Sequence, residues 1–272
     1  MTVCIVAKYH FAERVGGAEV QAWLLAQELV RRGVAVTYLC ESLTGKGDTT
    51  ETIDGIEIIW LPPRPHLDLF NLPHYARALS RLNPEIVIHR YTSGYESVIG
   101  RYCRRKSAKF VWICTDNAAP VRSHFITRQR DALKRHPRPF YKRLVLLLHA
   151  WAKDRSREYG MQFITHPCVQ NPIQHDAFIA HFGRRPFRFP SGHIIPAAIP
   201  GKNAPPVVLW VGGFSKVKRP ELFLEFAKRC DDLDVEFIMI SKAPPKNVHT
   251  EIEPFHEYAR NQPRFRWLTD VP

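Results

Sequence analysis

Residues Thr2–Cys40 read TVCIVAKYHFAERVGGAEVQAWLLAQELVRRGVAVTYLC. TVCIVAK is a continuous apolar run of strand length. A loop follows and ends in Gly16-Gly17. From about Ala18 to Arg32 the apolar residues Ala18, Ala22, Leu25, Ala26 and Leu29 recur at helical spacing. Gly33, after two arginines, is a normal helix stop. VAVTYLC is a second strand. Strand, glycine loop, helix and strand in this order predict a parallel α/β unit, because an unbroken apolar strand is one covered on both faces.

The rhythm continues outward. IEIIWLP (Ile56–Pro62) follows an Asp54-Gly55 turn and is the third expected strand; EIVIHR (Glu85–Arg90) is the fourth and KFVWICT (Lys109–Thr115) the fifth. Helices are expected over about 71–82 and 95–105. Arg128 to Gly160 reads as a long helical stretch interrupted at Pro137 and Pro139. MQFITH (Met161–His166) and RFPSGHIIP (Arg188–Pro196) read as further short strands around a helix near 173–182. GKNAPP (Gly201–Pro206) is a linker by composition. VVLWVG (Val207–Gly212) then restarts the alternation. Pro220 stands at the first position of a helix, VEFIMI and RFRWL are strands, and a helix near Glu253–Asn261 lies between them. The expected organisation is a domain over 1–200 and a partial one over 206–272. In such sheets ligands collect at the carboxyl ends of the strands.

Composition narrows the class. Of 272 residues, 45% are hydrophobic and 24% charged, enough for a large core in a globular protein. The six cysteines form no C-x-x-C pair. Cys4, Cys40 and Cys114 sit in strand-like runs and read as reduced core thiols, as in a cytosolic protein. Neither they nor the 13 histidines show metal-ligand spacing, so no metal is expected. The chain opens directly on a strand, without a secretory leader pattern. The longest apolar run, Leu144–Ala152, is about half of what a membrane helix needs. The net charge of +13 is local: 28 bases face 16 acids before Gly201, and 11 face 10 after it.

Two loops carry the expected chemistry. Gly16 and Gly17 lie between a strand and a helix start, where backbone can approach a ligand and free N–H groups suit a phosphate; the bland alternative is a tight turn. The motif is not G-x-G-x-x-G, which argues against a dinucleotide. Glu19 is a further candidate in this loop. VGGFSKVKRP (Val211–Pro220) repeats the arrangement with Gly212, Gly213, Lys216, Lys218 and Arg219, and a lysine beside glycines fits a phosphate. Asp116, in the loop after the fifth strand, is either a turn residue or a group facing a reacting sugar.

Four stretches resemble glycosyltransferase family 4, the retaining nucleotide-sugar enzymes of GT-B fold. They are GGAEVQAWLLAQELVRRGVAVTYLC (Gly16–Cys40), CVQNPIQHDAFIAHFG (Cys168–Gly183), HIIPAAIP (His193–Pro200) and VVLWVGGFSKVKRPELFLEFA (Val207–Ala227). The resemblance implies an α/β, GT-B-like fold with two Rossmann-like domains, the first on the acceptor side and the second, here incomplete, binding the donor. It implies that Gly16 and Gly17 approach the donor diphosphate, that Lys218 holds it with Gly212 and Gly213, and that Asp116 is the catalytic candidate. An arginine of the family pattern is replaced by Gly213, with Lys216 the nearest base that could stand in. ISKAPP (Ile240–Pro245) stands where the family has a glycine-rich turn, and family members carry a pair of glutamates beyond the equivalent of Pro272. A non-catalytic remnant or partner subunit, and a GT-B-like sugar-nucleotide epimerase, are the alternatives. The implied partners are a nucleotide-diphosphate sugar and a sugar or lipid-linked acceptor, with no cofactor.

Arg122 to Arg157 holds 11 bases and 2 acids around the apolar LVLLLHAWA. One reading is a helix packed through its leucines with a solvated basic face; the other is peripheral contact with an anionic membrane on its cytoplasmic side. No stacking-aromatic module accompanies the charge, which argues against nucleic acid.

Overall fold

The computed structural model describes all residues except 15, 64–67, 199–200, 203, 215–217, 243–248, 270 and 272, and only the backbone of 68 and 249–251. The chain forms two compact units, Met1–Ile194 and Ile195–Pro272.

The first unit is built on β1 (Thr2–Tyr9), α1 (Gly17–Arg31), β2 (Ala35–Glu41), β3 (Thr49–Ile53), β4 (Ile56–Leu61), α2 (Leu72–Leu82), β5 (Ile86–His89), α3 (Glu96–Lys106), β6 (Lys109–Ile113), α4 (His124–Arg135), α5 (Phe140–Met161), β7 (His166–Val169), α6 (Pro172–Phe182) and β8 (Phe187–Arg188). Its eight strands lie in the order β3-β4-β2-β1-β5-β6-β7-β8. All pairs are parallel except β3–β4. β1 shows why both faces are buried. Val3, Ile5 and Ala7 pack with Ala22, Trp23 and Ala26 of α1. Cys4 and Val6 point the other way, into a cluster with residues of α2, α3, α5 and α6. This is the two-residue period of a strand.

The structure departs from the sequence pattern at three places. β3 was not anticipated: its TTETI sequence is too polar to stand out, but Asp54 and Gly55 both take positive φ, 52° and 75°, and close a two-residue hairpin onto β4. Met161–His166 is not a strand, because α5 continues through Met161, which is buried against the core, and β7 begins only at His166. Of Arg188–Pro196 only Arg188 is in a strand. The long helical stretch breaks as expected at the prolines, into α4 and α5.

The second unit carries β9 (Val207–Val211), α7 (Pro220–Arg229), β10 (Glu236–Ser241), α8 (His249–Asn261) and β11 (Phe265–Thr269), with strand order β11-β10-β9, all parallel. Both crossovers step in the same direction across the sheet, and crossovers of one hand then put both helices on one face. There Phe223, Leu224, Ala227, Phe237, Met239, Phe255 and Phe265 form the core. Leu209, Val211 and Leu268 of this sheet are exposed.

All six cysteines are free thiols, and only Cys230 is not fully buried. Burial pushes the Cys114 thiol up to about 12 and Cys168 to about 11. No helix among the described residues is long and apolar enough to cross a membrane.

Candidate active site

β1 and β5 are neighbours, yet the chain leaves β1 toward β2 and returns to the other side of β1 as β5. Such a reversal opens a crevice at the carboxyl ends of the two strands. The loops that border it carry Gly16-Gly17 after β1 and Arg90 after β5.

Gly16 is the extended N-cap of α1 and Gly17 its first residue. No side chain caps this end, which leaves the first amides to water or to a ligand. A Cβ on Gly16 would strike the carboxylate of Glu19, itself buried, which folds back over the turn. A Cβ on Gly17 would meet nothing within 4 Å. The loop ahead of the glycines is fixed by Glu13. Its carboxylate accepts from Ser42 Oγ (3.0 Å), from the Leu43 amide (2.5 Å) and from Thr44 Oγ1. Burial pushes this carboxyl up, but the hydrogen bonds from Thr44, Leu43 and Ser42 outweigh it and hold the group below its ordinary value.

Arg90 is 3% exposed. Its Nη2 donates to Ser191 Oγ at 3.3 Å, its Nε has no partner, and no carboxylate among the described residues lies within salt-bridge distance. Burial pulls the guanidinium below its ordinary value, while Cys114 and Tyr38 act in the opposite direction. A buried cation without a counter-charge is costly unless an anion joins it. Its backbone is set by a buried network: His89 Nδ1 donates to the Val6 carbonyl (2.9 Å) and His89 Nε2 lies 3.2 Å from Ser93 Oγ. Glu96 accepts from the Ser93 amide at 3.1 Å. The segment after β8 passes over this region, held by Gln21 Nε2 donating to the Gly192 carbonyl at 2.5 Å. Gln21, Leu24, Arg90, Phe189 and His193 line a groove of about 480 Å³ beside α1.

Arg90 does not stand out in the sequence. It closes the strand-like run EIVIHR, and a charge at a strand end usually points to solvent. The available signal was position: a loop residue at the carboxyl end of a strand in a parallel sheet.

Asp116 sits on an exposed turn. Its Oδ1 accepts from the amides of Ala118 and Ala119, both at 2.9 Å, so this oxygen is used by the turn itself. Asn171 and Gln174, of the VQNPIQ stretch, cap α6: the Gln174 amide donates to Asn171 Oδ1 (2.9 Å) and the Gln170 amide to Gln174 Oε1 (2.7 Å).

In the second unit the Gly212 amide donates to the Ile240 carbonyl at 3.0 Å. The Lys218 stem passes 3.7 Å from where a Cβ on Gly212 would sit, and its side chain is exposed. Gly213 faces open space. Lys216 lies outside the described residues. Among the described residues no group of three or more His, Cys, Asp or Glu side chains is placed to hold a metal.

The family model described as Glycosyltransferase Family 4 matches residues 15–162, more than half of the chain. The chain belongs to Glycosyltransferase Family 4. It is therefore a glycosyltransferase, as the four sequence stretches implied. No match is found among curated proteins. Among solved structures, the chain is similar to Anabaena HepE in complex with UDP and glucose, with a TM-score of 0.59 and 13% identity, over 100% of this chain and 70% of that one. It is similar to the catalytic domain of Arabidopsis thaliana starch synthase IV bound to ADP and acarbose (TM-score 0.64, 12% identity, 100% and 74% covered). It is also similar to the UDP-GlcNAc 2-epimerase from Methanocaldococcus jannaschii (0.55, 9%, 100% and 74%). At these identities the likeness is one of fold, the expected α/β, GT-B-like class with parallel sheets, and it extends across different chemistries.

Proposed function

We propose that this glycosyltransferase moves a sugar from a nucleoside-diphosphate donor to a hydroxyl of a sugar or lipid-linked acceptor, with retention at the anomeric carbon. The observation that carries this reading is Arg90, a buried cation without a carboxylate, in the crevice that the open start of α1 also borders. Gly17 leaves room for a diphosphate oxygen at the helix start, where amides and the helix dipole favour negative charge. In this reading Gly16 and Gly17 act with Arg90 on the donor diphosphate, and Gly212, Gly213 and Lys218 are the donor-phosphate residues of the second unit. Lys216 and Glu19 are secondary members of the set. The charge growing on the leaving diphosphate is met by these cations and amides, so the reading includes no metal or cofactor. Bound UDP and ADP in two relatives of the fold support a nucleotide donor. Asp116 is proposed to face the transferred sugar through Oδ2, the oxygen that the turn leaves over. The first unit serves the acceptor and the second the donor. The reaction belongs at the cytoplasmic side of a membrane, in glycan or glycolipid assembly.

One observation favours a non-catalytic partner subunit instead: Gly213 in place of the family's arginine. A melting-temperature screen against UDP-, ADP- and GDP-sugars, followed by a transfer assay with the stabilising donor, separates the readings. Saturation at a hundredfold over Kd is worth about 2.7 kcal/mol and is readily seen as a shift. A shift with transfer supports the enzyme, a shift without transfer the partner subunit, and no shift with any donor contradicts donor binding.

A further inference from the structure

α5 is 22 residues long, but its buried residues, Ala150, Asp154, Arg157, Gly160 and Met161, all lie from Ala150 onward. Its first half packs against α4, whose only buried residue is His124. α4 and the start of α5 therefore form a helical hairpin fixed at its base. Asp154 accepts from the amides of Phe125 (3.0 Å) and Ile126 (2.9 Å), and Arg157 donates to the carbonyls of Ala119 and Val121.

The outer part of the hairpin has a composition that water does not favour. Phe140, Tyr141, Leu144, Val145, Leu148 and Trp151 are all exposed, Phe140 at 80% and Leu148 at 56%. Phe140, Leu144, Leu148 and Trp151 follow one another at four-, four- and three-residue steps, one continuous stripe about 16 Å long. Beside it, Arg130, Lys134 and Arg143 converge on a groove of about 370 Å³ between the two helices, floored by Leu133 and Leu147. Between Arg128 and Arg143 there are seven bases and one acid, Asp131, which pairs with Lys134 at 3.6 Å.

We propose that this hairpin docks the protein on an anionic lipid leaflet. The stripe on α5 enters the headgroup–acyl boundary, and the basic groove takes lipid phosphates. An apolar stripe edged by cations is the pattern that lies in a membrane interface, and Trp151 at its end is of the type that settles at headgroup depth. A second copy of the chain is a poor occupant, since two like faces of this charge repel. The docking rests on residues apart from Arg90, Gly17 and Lys218, so its outcome is independent of donor binding.

The test is flotation of the full chain with vesicles of phosphatidylcholine alone and of phosphatidylcholine with about one-third phosphatidylglycerol. The protein floats with the anionic vesicles only, and added salt releases it. Leu144→Glu with Leu148→Glu abolishes flotation. Arg130→Gln, Lys134→Gln and Arg143→Gln together weaken it on the order of a hundredfold, since each base near an anionic surface contributes about fivefold. All these side chains are exposed, so both variants keep the wild-type melting curve. Equal flotation with neutral vesicles, no flotation at all, or wild-type flotation of either variant would overturn the proposal. So would a dimer in sedimentation velocity that the two Glu substitutions dissolve, which would assign the stripe to a second copy.

Discussion

Gly160 on α5 lies so close to Glu96, the first residue of α3, that a Cβ on Gly160 would overlap the Glu96 carbonyl carbon and oxygen. The absent side chain lets the two helices touch backbone to backbone. The contact links two features of the molecule. Glu96 belongs to the buried network with Ser93 and His89 that shapes the loop bearing Arg90. The same contact clamps α5 by its end, which leaves its first half projecting.

Gly160→Ala is accordingly expected to destabilise the first unit. Alanine is favoured over glycine in a helix by about 1 kcal/mol, but relief of the overlap requires α5 to move off α3, and overpacking of this kind typically costs about 1–3 kcal/mol. Thermal melting checks the sign: a fall of several degrees is expected.

Arg90→Met replaces a buried cation by an apolar side chain of similar length. Stability is expected to hold or rise, because no ion pair is broken and the desolvation cost of the charge is removed. Donor affinity is expected to fall on the order of a hundredfold, the loss of a charge-assisted contact. Melting and donor titration on the same sample read both effects; a variant that melts earlier and binds normally would make Arg90 a purely structural residue.

The glycines separate folding from binding. Gly17 has open space at its Cβ position and heads a helix, so Gly17→Ala folds as well as the wild type. A diphosphate that approaches there would be pushed out, with at least a tenfold rise in donor KM expected. Gly213 also faces open space and does not take positive φ. Gly213→Arg supplies the second cation that the family pattern has, and donor KM should fall several-fold.

His10 predicts the pH dependence. It is buried among Trp23, Tyr38 and Trp60, with Nε2 unpartnered. Burial holds it below its ordinary value of about 6.5; Glu51 and Glu13 act in the opposite direction, and Lys46 adds to the lowering. The unfolded chain therefore binds a proton more readily than the folded one, and stability falls as pH drops through about 6.5 toward the folded value. His10→Phe removes this term, so its melting temperature should drop less than the wild type's between pH 7.5 and 5.5. Below that range Glu13, whose folded value is depressed, adds a further loss as the pH falls through the carboxylate range.

The α/β alternation was readable because buried parallel strands are unbroken apolar runs, as in Val3–Ala7 and Val36–Cys40. β3 was not readable, since an edge strand with a polar face has no such run. Met161 reads as strand in the sequence because its helical state comes from packing at Gly160 and the core, which is tertiary information. In the site, glycine placement was visible as a pattern. Arg90 was not, because whether a charged residue at a strand end meets solvent or a buried crevice depends on the segment around Ser191 and Gly192, about a hundred residues away in the chain.

Calorimetric titration of the wild type, Gly17→Ala, Arg90→Met and Lys218→Ala with UDP, ADP and GDP decides whether these residues hold a donor nucleotide. One of the three nucleotides is expected to bind the wild type, and each substitution to weaken it at least tenfold without lowering the melting temperature. Unchanged affinity in all three variants, or no binding of any of the three nucleotides to the wild type, would refute donor binding by these residues.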